Sequence, residues 1–516
     1  MLSTFVLLSI VLVALYAYLK AKKDSMSIVS SRGFFLHNET LSLKPLIATL
    51  VASNMSLGNM IFICGMMGYF YGYSGVFWVF MTIVFLGLGF ILFGKKFKTY
   101  IEDKGNFGTI HDYLSKSHDL TTNKYKLSTK ITASTTSILS LIVAIILEIH
   151  IGTMLLSIIF HIEQILLVTV LIIAVFSYTA IAGFRTVVMT DILQFIFMIV
   201  AVIAGIFLFN ILPFGESFNT AGYTYSFNAM ISGAGWQTAV GLIFLGFFWL
   251  ISTPDTWQRN CASRSVDTSV KGAFYGTLLM SILVIFFALG GMYVKTTIIG
   301  LVPVESASLL SGGYFAFNDI FLLDYSTMGI GVNILLALIA LGLIMAAVST
   351  IDTLLIVVAH IFNVDLGLSL KNINNFIDVE DNNLDENLLL RGRIFIGLLG
   401  IVTFLGWVLM SNMNLLVDPL SLFFVTYTIQ FCLAIPVIAA TNKHTHSSLT
   451  TILVIIISAI TTLAIGLWGM LNIAETTLTL GMSPASWLAL LPVFPVLIGM
   501  IGYSFVYVNN KYIRKK

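Results

Sequence analysis

The sequence predicts an all-α protein that crosses a membrane many times. Of its 516 residues 58% are hydrophobic and only 10% are charged, with a mean hydropathy of +0.98. Apolar stretches of about 20 residues, the length a helix needs to cross a bilayer, recur from end to end. Lys and Arg fall in or beside alternate connections, as expected when positively charged loops stay on the cytoplasmic side.

Taken in order, the apolar stretches place spans at about 3–19, 45–72, 74–94, 128–158, 163–182, 186–211, 234–257, 270–294, 329–362, 391–411, 415–440, 449–471 and 484–508, thirteen in all. Lys20, Lys22, Lys23, Arg32 and Lys44 follow the first span, and eight more basic residues lie between Lys95 and Lys130 after the third. Arg185 follows the fifth. Arg259, Arg264 and Lys271 follow the seventh, Lys371, Arg391 and Arg393 the ninth, and Lys443 and the tail from Lys511 complete the set. Of 26 basic residues only Lys295 falls in a loop on the opposite side. The expected orientation is an integral plasma (inner) membrane protein with its amino terminus outside and its carboxy terminus cytoplasmic. The first span reads as an anchor. No basic residue precedes it, a Lys cluster follows it, and it carries no Ala-x-Ala cleavage pattern.

Between spans, residues 95–126 are expected to hold an interfacial helix with Phe97, Tyr100, Ile101, Ile110 and Leu114 among charged residues. Residues 295–328 read as an outside loop, and the Asn- and Asp-rich 370–389 as a solvated one. Cys64, Cys261 and Cys432 are far apart and in or beside spans, suggesting neither a disulfide framework nor a metal cluster. The net charge of +2 is accounted for by the cytoplasmic loops and implies no nucleic acid. No enzyme is expected, for there is no His-Glu-His metal motif and no nucleophile with a base, and no appended catalytic or kinase domain follows the last span.

Transporters build their sites where helices break near the midplane. Span 45–72 carries Ala52-Ser53-Asn54-Met55-Ser56-Leu57-Gly58-Asn59, small and amide residues that helix interiors disfavour. Span 234–257 runs into Ser252-Thr253-Pro254-Asp255-Thr256-Trp257-Gln258-Arg259, where Pro254 cannot donate to the preceding turn. Counted from the second span these are the first and sixth of ten core helices, matching positions in two five-helix halves of opposite orientation. The expected organisation is an extra amino-terminal helix and cytoplasmic linker over 1–44 and a first inverted repeat over 45–212. A second repeat follows over 213–440, then two further helices with a basic tail over 441–516.

Within the eighth core helix Ala346, Ser349 and Thr350 lie on one face by their spacing. Two adjacent hydroxyls beside a free carbonyl offer the neutral oxygens that suit Na+, or else bond back to carbonyls four residues earlier. An acid at membrane depth, Asp352, marks the same stretch as functional. Glu148 and His150 are a further polar pair in an apolar span, on different faces at a spacing of two.

At this point the chain resembles the sodium:solute symporter family. The run Ser177-Tyr178-Thr179-Ala180-Ile181-Ala182-Gly183-Phe184-Arg185 and its continuation through Asp191 to Phe195 is similar to the family signature around core helices four and five. Ala346 to Thr353 is similar to its sodium motif, and Trp257-Gln258-Arg259 to the Gln-Arg that closes core helix six. The resemblance implies a sodium-coupled secondary active symporter importing a small organic solute by alternating access, with Na+ as the coupling ion. It implies a principal sodium site from the carbonyls of Ala52, Met55 and Ala346 and the hydroxyls of Ser349 and Thr350. A second cation position falls on Asp191, Asp352 and Thr353 with Ser349, where Asp352 departs from a hydroxyl-only pattern and leaves Na+, a proton or a sodium-free carboxylate pair open. The solute is expected beside the two breaks, near Ser53, Asn54, Asn59, Trp249, Ser252, Thr253 and Asp255, with Trp249 or Trp257 as the stacking wall. Asp255 meets an ammonium or urea-like donor, or caps the helix and pairs with Arg259. The apolar Ile83 and Leu86, where sugar-transporting members carry polar residues, disfavour a sugar and leave an amino acid, a urea-like solute or a carboxylate. The alternatives are a proton-coupled transporter of the same fold, or a membrane solute sensor with a separate signalling partner.

Overall fold

A computed structural model describes residues 2–25, 30–37, 40–104, 108–118, 123–211, 226–294, 329–367, 382–416, 419–471 and 490–513. Among them there is no β-strand; one parallel bridge joins Leu41 to Ser263. Helix α1 (Leu2–Ser25) ends in Lys22 and Lys23, cations that complement the carbonyl end of the helix. It turns Val6, Val13, Ala17 and Ala21 inward and leaves Leu7, Val11, Leu12, Leu15 and Leu19 exposed, as a lipid-facing helix does. After the short α2 (Ser31–Leu36), α3 (Leu43–Asn54) stops at Met55, whose backbone leaves the helical region. The chain resumes in a wide π turn over Asn59–Gly65 and α4 (Met66–Tyr71), bent 69° from α3.

Helix α5 (Tyr73–Lys104) carries the next span beyond its apolar part to Lys104. The interfacial helix expected within 95–126 is therefore split. Its first residues prolong α5, and α6 (Ile110–His118) is a separate amphipathic helix that buries Ile110, Tyr113 and Leu114. Helix α7 (Asn123–Phe160) precedes α8 (Gln164–Ile211), which runs through two expected spans and is kinked at Gly183, where φ is +59°. A side chain there would collide with the Phe34 carbonyl oxygen at 2.5 Å, so glycine is required both by conformation and by space.

Next come α9 (Phe227–Ser232), α10 (Gly235–Ser252), α11 (Pro254–Ala262) and α12 (Val266–Tyr293). Beyond them lie α13 (Gly329–His360) with a π turn over Ile361–Gly367, and α14 (Asn382–Asn412). Residues 382–389, read from composition as solvated loop, begin α14 instead. The next span is α15 (Pro419–Ile429), a 3-10 turn and α16 (Ala434–Ala439), followed by α17 (Ser448–Leu471) and α18 (Val493–Val508).

Among the described residues eleven helical segments, the two halves of α8 counted separately, are long and apolar enough to span a membrane, and α3 with its bent continuation makes a twelfth. The thirteenth expected span, the first in the chain, lies in α1. The expected outside loop 295–328, and 370–381 of the expected solvated loop, lie outside the described residues. Packing gathers the helices in two groups. Helix α5 packs on α10 and α12, and α12 on α3 and α4; α13 packs on α7 and most extensively on α8. Helix α13 is buried without interruption from Ala340 to His360. It is the centre of the molecule, which is why polar side chains on it meet protein rather than lipid.

A candidate cation and solute site at two broken helices

Both expected breaks are present. In core helix one, unwinding at Met55 follows from the run Ser53-Asn54 before it and Gly58 after it. The Asn54 side chain donates through Nδ2 to the Leu50 carbonyl at 2.9 Å, and Asn59 Nδ2 donates to the Asn54 carbonyl at 2.7 Å. The Asn59 amide takes over a carbonyl that a continuous helix would satisfy itself, and the Asn54 amide bonds back onto its own turn. In core helix six Thr253 is extended, at φ −88° and ψ 124°, and Pro254 starts a new helix. The Trp257 indole donates to the Ile251 carbonyl at 2.9 Å, closing the break from within. Its ring packs on Phe97 and Tyr113, so Trp257 seals core helix six rather than walling a cavity. Below the break the buried Lys98 ammonium donates to the Cys261 and Ser263 carbonyls at 3.0 and 2.7 Å, terminating α11 with a cation.

The five residues expected at the principal sodium site are all buried on α3 and α13, which pack together. Ala346 and Thr350 form an adjacent oxygen pair, with the Thr350 hydroxyl donating to the Ala346 carbonyl at 3.1 Å. This is the back-bonded arrangement, yet it uses only the hydroxyl proton. The Thr350 oxygen and a second lone pair on the Ala346 carbonyl stay available to a cation. Met55 still donates its N–H to the Val51 carbonyl at 2.9 Å, but at φ −91° and ψ 62° it ends the helix, and the carbonyls of α3 beyond Val51 have no helical donor. This donor set of neutral oxygens fits an alkali cation.

Ser349 is bonded to α8. Its hydroxyl donates to Asp191 Oδ1 at 2.6 Å, and the Thr49 hydroxyl donates to Asp191 Oδ2. Arg259, fully buried, reaches the same carboxylate with Nη2 at 3.3 Å and donates to the Thr353 hydroxyl at 2.7 Å and, through Nε, to Thr49 at 2.9 Å. A guanidinium thus stands between two of the three residues expected at the second cation position. The third, Asp352, accepts from Tyr178 at 2.6 Å and Thr190 at 3.1 Å, both on Oδ2, and its Oδ1 has no partner among the described residues. Two carboxylates and one guanidinium, all excluded from water, leave one negative charge without a counter-charge. Such a charge in a low-dielectric interior calls for a proton or a cation.

A small cavity opens beside the first break, lined by Asn54, Met55, Asn59, Thr82, Trp249 and apolar residues that include Ile83 and Leu86. Trp249 donates to Asn54 Oδ1 at 2.9 Å and stacks on Tyr427 at 5.0 Å. Of the residues expected around the solute, Asn54, Asn59 and Trp249 line this cavity; Ser53, Ser252, Thr253 and Asp255 do not. Ser53 and Ser252 bond back to Leu50 and Phe248, Thr253 donates to Thr256, and Asp255 faces Arg259 at 3.9 Å. The sequence reading missed the roles of Arg259, Tyr178, Thr190 and Thr49. The first three stand inside the quoted motifs and were within reach. Thr49 is one threonine in an apolar span and carried no signal.

The sodium:solute symporter family model matches residues 34–439. The chain belongs to that family. Among solved structures, a Na+-coupled sialic acid symporter in a substrate-bound outward-open state superposes with a TM-score of 0.70 at 16% identity, covering 98% of each chain. A manganese transporter from Eremococcus coleocola superposes with a TM-score of 0.52 at 13% identity, over 89% of this chain and 95% of the other. At these identities the likeness is one of fold. No curated protein sequence matches the chain. Membership in the family makes this symporter an integral membrane transporter with Na+ as its coupling ion.

Proposed function

We propose that this symporter imports a small organic solute by alternating access, with Na+ held by Ala52, Met55, Ala346, Ser349 and Thr350. The observation that carries the reading is the neutral oxygen pair of Ala346 and Thr350 on a helix buried without interruption from Ala340 to His360, packed against the helix that breaks at Met55. Binding Na+ there ties α13 to the end of α3 at the break in core helix one and so orders the cavity that Asn54 and Asn59 share. Ser349, bonded to Asp191, links that position to the Asp191, Asp352, Thr353 cluster. The uncompensated charge on Asp352 makes this cluster a second cation position, taking Na+ or a proton beside the Arg259 guanidinium.

Rocking of the α3, α5, α10 and α12 group against α7, α8 and α13 then opens the cavity to the cytoplasm, with the carboxy terminus inside and the plasma membrane as the location. Each entering Na+ gains about 2.3 kcal/mol per 100 mV of membrane potential. One ion supports roughly fifty-fold accumulation from voltage alone. The solute contacts Asn54, Asn59 and Trp249 directly, while Ser53, Ser252, Thr253 and Asp255 shape the breaks around it. A lining of two amides, one hydroxyl and apolar walls suits a solute with few hydrogen-bonding groups better than a sugar.

The test is thermal stabilisation of the purified protein by amino acids, urea, choline, carboxylates, sialic acid and other sugars, each with NaCl or choline chloride, followed by uptake into liposomes. Stabilisation by one solute class only in Na+, with Na+-dependent uptake, is expected. A solute taken up equally well without Na+ would overturn the reading.

A further inference from the structure

Glu148 lies on α7, fully buried, and takes no part in the clusters described so far. Its Oε1 accepts the Gly58 backbone N–H at 3.3 Å, and Ser56 and the Leu57 amide lie against the same carboxyl. These are the residues at which core helix one resumes after its break, an end where unpaired N–H groups attract an anion. The contact is close because position 58 is glycine: a Cβ there would come within 2.9 Å of Oε1 and 2.8 Å of the Phe423 ring. The other oxygen, Oε2, is buried with no hydrogen-bond partner among the described residues.

No Lys, Arg or His forms an ion pair with Glu148 among those residues. The titratable groups that face it are acids, the Tyr427 phenol on α15 and, beyond it, Asp255 at the second break. His150 on the same helix points to another face and is held by Gln164 and Trp407. A carboxylate so placed is stable ionised only if a positive charge is brought near, and stable neutral otherwise. A place for such a charge at the same end of core helix one is the Na+ position, whose backbone ligands there, Ala52 and Met55, belong to the same break that Glu148 caps.

We propose that Glu148 is a proton-binding site linked to Na+: it holds a proton while the Na+ position is empty and releases it when Na+ binds at the break. The proton leaves Oε2 for water, the carboxylate that remains accepts the Gly58 N–H, and Na+ supplies the compensating charge. The consequence for transport is that the carrier, returning without Na+, brings a proton back across the membrane in exchange, so that this Na+ is driven by its concentration gradient and the proton gradient and the voltage gain given above for one ion is cancelled. This inference rests on the Na+ position proposed above and adds a second ion to its cycle.

The experiment is proton release on Na+ binding. Full-length protein in detergent, in lightly buffered solution with a pH indicator, receives NaCl or, as the ionic-strength control, choline chloride, and Na+ binding is followed in parallel by thermal stabilisation. Because Asp352 can also exchange a proton, the reading is the difference between wild type and Glu148→Gln. The variant is expected to release about one proton fewer per bound Na+, and Glu148→Asp, which keeps the acid, to restore the release. Infrared spectra of the Na+-free protein in D2O should show a protonated-carboxyl carbonyl band that Glu148→Gln lacks, a readout independent of ion binding. Unchanged release in a folded Glu148→Gln protein that still binds Na+ overturns the proposal, as does absence of the infrared difference. Failure of the wild type to bind Na+ at all would instead overturn the Na+ position itself.

Discussion

Replacing Arg259 with Met tests the cluster at the centre of the molecule. The side chain is fully buried, and its Nη2 lies 3.3 Å from Asp191 Oδ2. At the effective dielectric that describes charges in proteins, that separation corresponds to about 5 kcal/mol of attraction. Met fills much of the volume, so the cost is electrostatic. Asp191 keeps the Ser349 and Thr49 hydroxyls, but Thr353 loses its donor, and the cluster goes from one uncompensated negative charge to two. Removing one partner of a buried pair costs about 3–5 kcal/mol. Removing both, as in Asp191→Asn with Arg259→Met, leaves hydroxyls to re-pair and the same single charge on Asp352 that wild type carries, and is expected to cost less than the single change. Thermal unfolding in detergent of wild type, both single variants and the double variant completes the cycle. The melting temperature of Arg259→Met should lie below that of the double variant and recover more with added NaCl than wild type does, since a cation then serves two acids. Equal melting temperatures for single and double variants would refute the argument that Arg259 is there to offset Asp191.

Other expectations follow from particular contacts. Gly58→Ala forces a methyl to within 2.8 Å of the Phe423 ring and should cost about 1–3 kcal/mol as overpacking, read as a lowered melting temperature with slowed solute uptake; a variant as stable and as active as wild type would contradict the close approach. Asp365 lies outside the transport site, where it accepts from Thr109 at 2.8 Å and meets the His111 ring at 2.9 Å and Lys130 at 3.2 Å, tying α6 to α7 and the end of α13. Asp365→Asn should loosen α6 by about 3–5 kcal/mol, detected as faster hydrogen exchange over 110–118 with little change over α13. Gly183→Ala, at φ +59° with a backbone oxygen 2.5 Å from the new methyl, should give poorly folded protein, measured as loss of the monodisperse peak in size-exclusion chromatography.

Much of the fold was legible because a bilayer leaves few choices: apolar length and Lys/Arg alternation place helices with little help from tertiary structure. The two breaks were legible for a local reason, since Asn54, Gly58 and Pro254 each disfavour helix on their own account. What the sequence did not carry was length beyond the membrane and partnership within it. Residues 95–104 look interfacial because they are charged, yet α5 continues through them, with Lys98 turned inward to cap α11. Composition made 382–389 look like loop, though they begin α14. In the site, spacing put Ala346, Ser349 and Thr350 on one face but could not say that Ser349 would face Asp191 on α8. Nor could it say that Arg259, more than 60 residues further on, would complete the pair. Long-range contacts between buried charges are set by packing, and no single-chain pattern encodes them.

The measurement that bears most directly on the account is Na+ dependence in the double variant Ser349→Ala, Thr350→Ala. For wild type, Na+ but not choline at about one hundred times its dissociation constant should stabilise the protein by about 2.7 kcal/mol and support uptake of the solute found by screening. The double variant should fold, lose that stabilisation and lose Na+-driven uptake. A folded double variant with undiminished Na+ stabilisation and uptake would show that the ion binds elsewhere, and the central claim would fail.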